Sequence, residues 1–187
     1  MKKIIFLDID GVLNSHDWYD YYFDLKLYKD EKYDHDLSPM LIRRLNDIQK
    51  KVPSVEIIIS STWRFDFKDT VDRLVAQGLT IPVIGGTTID PRYLDIECMP
   101  RGVLVAKWIR DNIGYSTCNY VILDDDCDFL IEQRDNLIVT DRGTGLSEED
   151  VSRAIAILGK ETSKVNDLIE QADEIIMEEE AGNVKTI

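Results

Sequence analysis

The chain has 187 residues, 44% apolar and 31% charged, and its 36 acidic against 22 basic side chains leave a formal net charge of −14. A chain of this length can bury about 70% of its unfolded surface as one domain, and its few cysteines, Cys98, Cys118 and Cys127, form no CxxC pair and offer neither a disulfide scaffold nor a structural zinc site. The acidic balance opposes binding to nucleic-acid phosphates or anionic membranes over the surface as a whole, and no apolar stretch approaches the roughly 20 residues that a membrane helix requires.

The first segment, MKKIIFLDIDG, carries an apolar run that Asp8 cuts too short for the core of a signal peptide, so Ile4 to Ile9 reads as a first strand. A reduced, cytoplasmic protein is the expectation. Residues 14–37 are dense in Tyr and Asp without a stable period and read as a surface flap or small hairpin. Ser38-Pro39 then opens a helix, as N-cap and first helical residue, with Leu41, Ile42, Leu45 and Ile48 at helical spacing. Val55 to Ile59 is a second strand, Thr70 to Gln77 a helix closed by Gly78, and Ile81 to Ile84 a third strand. Gly102 to Asn112 is a helix with Gly114 past its end, followed by strands at Tyr120 to Leu123 and Leu137 to Val139. Ser147 and Asp150 form a capping box before the helix Val151 to Leu158. The segment 160–187 is acidic with one apolar stripe through Val165, Leu168, Ile169, Ala172, Ile175 and Ile176, and reads as a helix or tail outside a domain of residues 1–159.

Continuous apolar runs between amphipathic helices predict strands buried on both faces, in an α/β Rossmann-like fold with a mainly parallel central sheet. Sites in such sheets lie at the carboxyl ends of the strands. The acids gather there: Asp8 and Asp10 before Gly11 at the first strand's end, and Asp124, Asp125, Asp126 and Asp128 after the fourth. Carboxylates crowded in this way repel one another unless a cation balances them, and an oxygen-loving divalent metal is the simplest balance. Ser60, Ser61 and Arg64 follow the second strand and suit phosphate oxygens, as do Arg101 at a helix start and Lys107 within it. The histidines, His16 and His35, lie in the acidic flap and read as exposed polar residues, which argues against a His-rich metal centre or a Ser-His-Asp triad.

The order of these features resembles the haloacid dehalogenase-like (HAD) superfamily, mostly magnesium-dependent phosphohydrolases, over roughly residues 3–158. More narrowly, the SSTWR string, the RG opening a helix that contains Trp108, and TDRGTGLSEEDV are similar to the HAD domains associated with Swiss-army-knife RNA-repair proteins. The resemblance implies a phosphatase that works through an aspartyl phosphate on Asp8, with Asp10 as general acid and base. It implies Mg²⁺ held by Asp8, the Asp10 backbone carbonyl and Asp125, with Asp124 or Asp128 acting directly or through water. Ser60, with Arg101 or Lys107, would hold the phosphoryl oxygens, and Arg64 would orient the substrate. The third motif departs from the family pattern, because Arg101 stands where a lysine is usual, and it is preferred to Lys107, nearly two turns inside the helix.

The stretches from Asp10 to Val55 and from Arg64 to Arg101 leave no room for a folded cap domain. The resulting open site suits an extended substrate such as a nucleic-acid terminus or a phosphoprotein, whereas the net charge disfavours nucleic acid, so a phosphorylated substrate is expected with its identity open. A non-catalytic Mg²⁺-binding interaction module and a phosphotransferase to an acceptor other than water are the alternatives.

Overall fold

A computed structural model describes residues 2–25, 36–87, 99–113 and 118–160. Five strands, β1 (Lys2–Leu7), β2 (Val55–Ile59), β3 (Val83–Gly86), β4 (Cys118–Asp124) and β5 (Leu137–Val139), form one sheet in the order β3-β2-β1-β4-β5, with every pairing parallel. Five helices are described: α1 (His16–Asp24), α2 (Pro39–Lys51), α3 (Phe67–Ala76), α4 (Arg101–Ile113) and α5 (Glu148–Leu158). Short 3-10 turns occupy Thr62–Asp66 and Ile131–Asn136.

The apolar runs are continuous because helices cover both faces of the sheet. Alternate strand residues point to opposite sides. Ile5, Leu7, Ile57, Ile59, Val121 and Leu123 pack with apolar residues of α2, α3 and α5. Ile4, Phe6, Ile58, Tyr120 and Ile122 pack on the other face with Val103, Ala106, Trp108 and Ile109 of α4. Phe6 meets Trp108 and Tyr120 edge to face, with ring centroids 5.6 and 6.0 Å apart.

The chain runs outward from β1 to β2 and β3, then crosses to the other side of β1 for β4 and β5. This reversal opens a crevice at the carboxyl end of β1, flanked by the ends of β2 and β4. The backbone ties these ends together: the Asp8 N–H donates to the Leu123 carbonyl at 2.9 Å, and the Ser60 N–H to the Leu7 carbonyl at 2.9 Å.

The expected caps are present at α2, where Ser38 Oγ accepts from the Leu41 N–H, and at α5, where Ser147 and Asp150 satisfy each other's backbone. The flap differs from the hairpin expectation. Its described part contains α1, N-capped by Ser15, whose Oγ accepts from the Trp18 N–H, and anchored by the buried Tyr22. A single buried ring cannot generate a helical period, so the pattern does not announce this helix. Gly114 and nearly all of the 160–187 tail lie outside the described residues.

Candidate active site

Asp8 follows β1 directly and is 1% exposed. One oxygen, Oδ1, is buried without a hydrogen-bond partner and lies 3.3 Å from Arg101 Nη1. Burial and the nearby Asp124 carboxylate raise its pKa from 3.8 to about 7, against the opposing pull of Arg101 and a hydrogen bond with Ser61. Asp124, at the end of β4, is fully buried; burial raises its pKa as well, although the same Arg101 nitrogen donates to both of its oxygens at 2.9 and 2.7 Å. Asp8, Asp124 and Asp125 each present an oxygen, all within 4.8 Å of one another. An all-oxygen set with one orphaned buried acceptor suits a hard divalent cation such as Mg²⁺.

Two glycines make this geometry attainable. Gly11 turns the chain with φ 72°, and a Cβ there would lie 2.3 Å from Asp125 Oδ2, so only glycine lets that carboxylate lie over the β1 turn. At Gly102 a Cβ would come within 2.4 Å of Gln133 Oε1 and 2.5 Å of the Leu130 nitrogen. Buried Gln133 accepts from the Leu130 N–H and donates to the Gly102 carbonyl, each at 2.9 Å. The start of α4 is thus clamped, and Arg101 with it.

The remaining sequence candidates divide between cleft and scaffold. The exposed Asp10 carboxylate is aimed by two neutral donors, Asn14 Nδ2 at 2.9 Å and Trp63 Nε1 at 3.0 Å. Ser60 is buried at the end of β2 and its hydroxyl has no partner. Ser61 Oγ caps the following turn by accepting from the Trp63 N–H. Arg64 folds back to donate to the Ser60 and Ser61 carbonyls at 3.0 and 2.8 Å, which holds that turn; burial and the proximity of Arg101 lower its pKa. Lys107 instead pairs with Asp111 at 2.6 Å along α4. Asp128 does not join the three clustered carboxylates: exposed, it accepts from the Arg101 backbone N–H at 3.2 Å and caps α4.

The cleft encloses about 280 Å³ and is lined by Asp8, Asp10, Asn14, Arg101 and Asp125, together with His16 and Tyr19 of α1 and Arg142. Sequence reasoning did not assign Asn14, Tyr19 or Arg142 to the site and placed His16 on the surface of a flap. The TDRG string was the available signal for Arg142.

Residues 4–151 match the HAD domain in Swiss Army Knife RNA repair proteins. The chain belongs to this HAD family. No curated protein and no solved structure matches it significantly. Membership in the HAD family suggests phosphohydrolase-type chemistry, and HAD domains typically use Mg²⁺, for which Asp8, Asp124 and Asp125 supply a fitting oxygen set. Among the described residues no helix is long and apolar enough to cross a membrane.

Proposed function

We propose that this HAD domain is a Mg²⁺-dependent phosphohydrolase that acts on phosphate monoesters through an aspartyl phosphate on Asp8. The observation that carries the reading is the buried Asp8 carboxylate, whose Oδ1 accepts no hydrogen bond and lies 3.3 Å from Arg101, grouped with the Asp124 and Asp125 carboxylates. A carboxylate in that setting is a nucleophile whose negative charge is not dissipated by water.

One Asp8 oxygen attacks phosphorus, and the bond from phosphorus to the leaving oxygen breaks. Asp10 gives its proton to that oxygen and then takes a proton from the water that attacks the aspartyl phosphate, freeing Asp8 and inorganic phosphate. The hydrogen bonds from Asn14 and Trp63 hold the Asp10 carboxylate in one orientation for both transfers. Asp8, Asp124 and Asp125, with the Asp10 backbone carbonyl, would hold the Mg²⁺. When bound, the ion neutralises phosphoryl oxygens so that an anionic substrate can approach clustered carboxylates.

Arg101 and the unpartnered Ser60 hydroxyl serve the remaining phosphoryl oxygens. Arg101 is preferred to Lys107 because its guanidinium already bridges Asp8 and Asp124, whereas Lys107 is paired along its own helix. The family's association with RNA repair makes a nucleotide or nucleic-acid end phosphate the first substrate class to examine. The test is phosphate release from a panel of phosphorylated compounds, including 3′- and 5′-phosphorylated oligonucleotides, with Mg²⁺ and with EDTA. Mg²⁺-dependent release is expected; full release in EDTA, with the metal shown to be gone, refutes the reading.

A further inference from the structure

Arg142 pairs with Asp125, lines the same cleft as Asp8 and Arg101, and is not accounted for by the reaction above. Its Nε lies 2.5 Å from Asp125 Oδ2, and the pair is lopsided: the Arg142 side chain is 64% exposed, the Asp125 side chain only 5%. The buried Asp125 side chain has little room, so the mostly exposed Arg142 is the partner with space to move.

The backbone beneath Arg142 is fixed. Thr140 Oγ1 donates to the Gly11 carbonyl at 2.9 Å, and the Leu146 N–H to the Val12 carbonyl at 3.0 Å. The Arg142 carbonyl accepts from the His16 N–H at 3.2 Å and the Gly143 carbonyl from the Asp17 N–H at 2.9 Å, which joins this loop to the first turn of α1. A long cationic side chain is therefore carried by a tethered backbone at the cleft that Asp8, Arg101, His16 and Tyr19 also line.

Asp125 cannot give the same oxygen fully to Arg142 and to a divalent cation. We propose that Arg142 is a second phosphate-recognition residue, engaged by Asp125 until a divalent cation takes that carboxylate, and that the substrate is a phosphate monoester whose leaving group carries another phosphate. The proposal rests on the phosphohydrolase reading. Arg101 serves the phosphoryl group being transferred, and Arg142, released from Asp125, meets the second phosphate at the cleft mouth. A free nucleoside bisphosphate and an oligonucleotide end share this chemistry. A guanidinium suits it because its planar fork pairs with two phosphate oxygens. In a chain of net charge −14, a cation that appears only in the metal-loaded site also restricts anion capture to the competent form.

The test uses Arg142→Ala and Arg142→Lys in the full chain. The side chain is replaced while the backbone carbonyl that caps α1 remains, and thermal melting checks that the variants fold. Calorimetric titration with Mg²⁺ alone should show Arg142→Ala binding about 1.5- to fivefold tighter, the scale of one exposed ion pair removed from competition. In Mg²⁺, kcat/KM for adenosine 3′,5′-bisphosphate and for a 5′-phosphorylated dinucleotide should fall at least about tenfold more than for adenosine 5′-monophosphate, and Arg142→Lys should recover part of that difference.

Which of the two ligands with a second phosphate suffers more distinguishes a free nucleotide from a strand end. Unchanged or weaker Mg²⁺ binding in Arg142→Ala, or equal losses on all three ligands, overturns the proposal. Should the wild type hydrolyse none of them, these nucleotides are not its substrates and the second-phosphate proposal falls if calorimetry in Mg²⁺ also shows Arg142→Ala binding all three ligands as the wild type does.

Discussion

Replacing Asp8 by Asn should make the metal-free protein more stable while abolishing its activity. The Asp8 carboxyl has a folded-state pKa of about 7 against 3.8, so folding favours its protonated form. That contribution is fully present below pH 3.8, falls as pH rises through the interval, and is gone above about pH 7. At about 1.4 kcal/mol per pKa unit, the ionised form is disfavoured by roughly 4–5 kcal/mol at most. That figure already includes the pull of Arg101, and the substitution also gives up the Arg101–Asp8 ion pair. A net gain of about 1–3 kcal/mol at pH 8 is therefore expected for Asp8→Asn, or about 2–10 °C in Tm for a chain of this length.

Differential scanning calorimetry in EDTA at pH 4.5, 6, 7 and 8 should show the advantage growing up to about pH 7 and level above it. In Mg²⁺ the advantage should shrink, since the cation stabilises the wild-type carboxylate. A variant less stable than wild type at pH 8, or an advantage independent of pH, refutes the electrostatic account of the site.

Arg101→Ala should lower kcat/KM by about 10²-fold or more, whereas Lys107→Ala should cost less than about tenfold; the reverse order would reassign the phosphate-bridging cation. Gly102→Ala, whose Cβ would meet Gln133 Oε1 at 2.4 Å, should destabilise the fold by about 1–3 kcal/mol in urea titration and reduce activity by displacing Arg101. Peptide mapping after brief iodoacetamide treatment should find the exposed Cys127 modified and Cys118 intact, because burial removes Cys118 from solvent and raises its thiol pKa to about 11.

The core of this fold was legible because its code is local. Apolar runs mark β1, β2 and β4, interrupted in β2 only by Glu56, and Ser38-Pro39 and Ser147 mark helix starts through cap chemistry confined to a few residues. The parallel sheet follows from the same runs, since the central strands β1, β2 and β4 are covered on both faces. What sequence reasoning missed depends on long-range geometry. The α1 helix is anchored by one buried tyrosine, Tyr22, in an otherwise polar stretch. Asp128 looks the same as Asp124 and Asp125 in the string DDDCD, but the chain turns after β4 and leaves its carboxylate at the start of α4. Arg142 reaches Asp125 only because Thr140 and Leu146 bind the loop to the turn after β1, a contact no spacing rule encodes. Conversely, Arg101 could be preferred to Lys107 from its position at the helix start, and the structure places it beside Asp8 and Asp124.

The most direct measurement is chemical trapping of the nucleophile. The enzyme is mixed with a hydrolysed substrate and Mg²⁺, quenched in acid during turnover, digested and analysed by mass spectrometry. The account predicts a phosphoryl group on the peptide containing Asp8, stable in acid, released by hydroxylamine and absent in Asp8→Asn. Sustained phosphate release with no such adduct, together with an active Asp8→Asn variant, would contradict it.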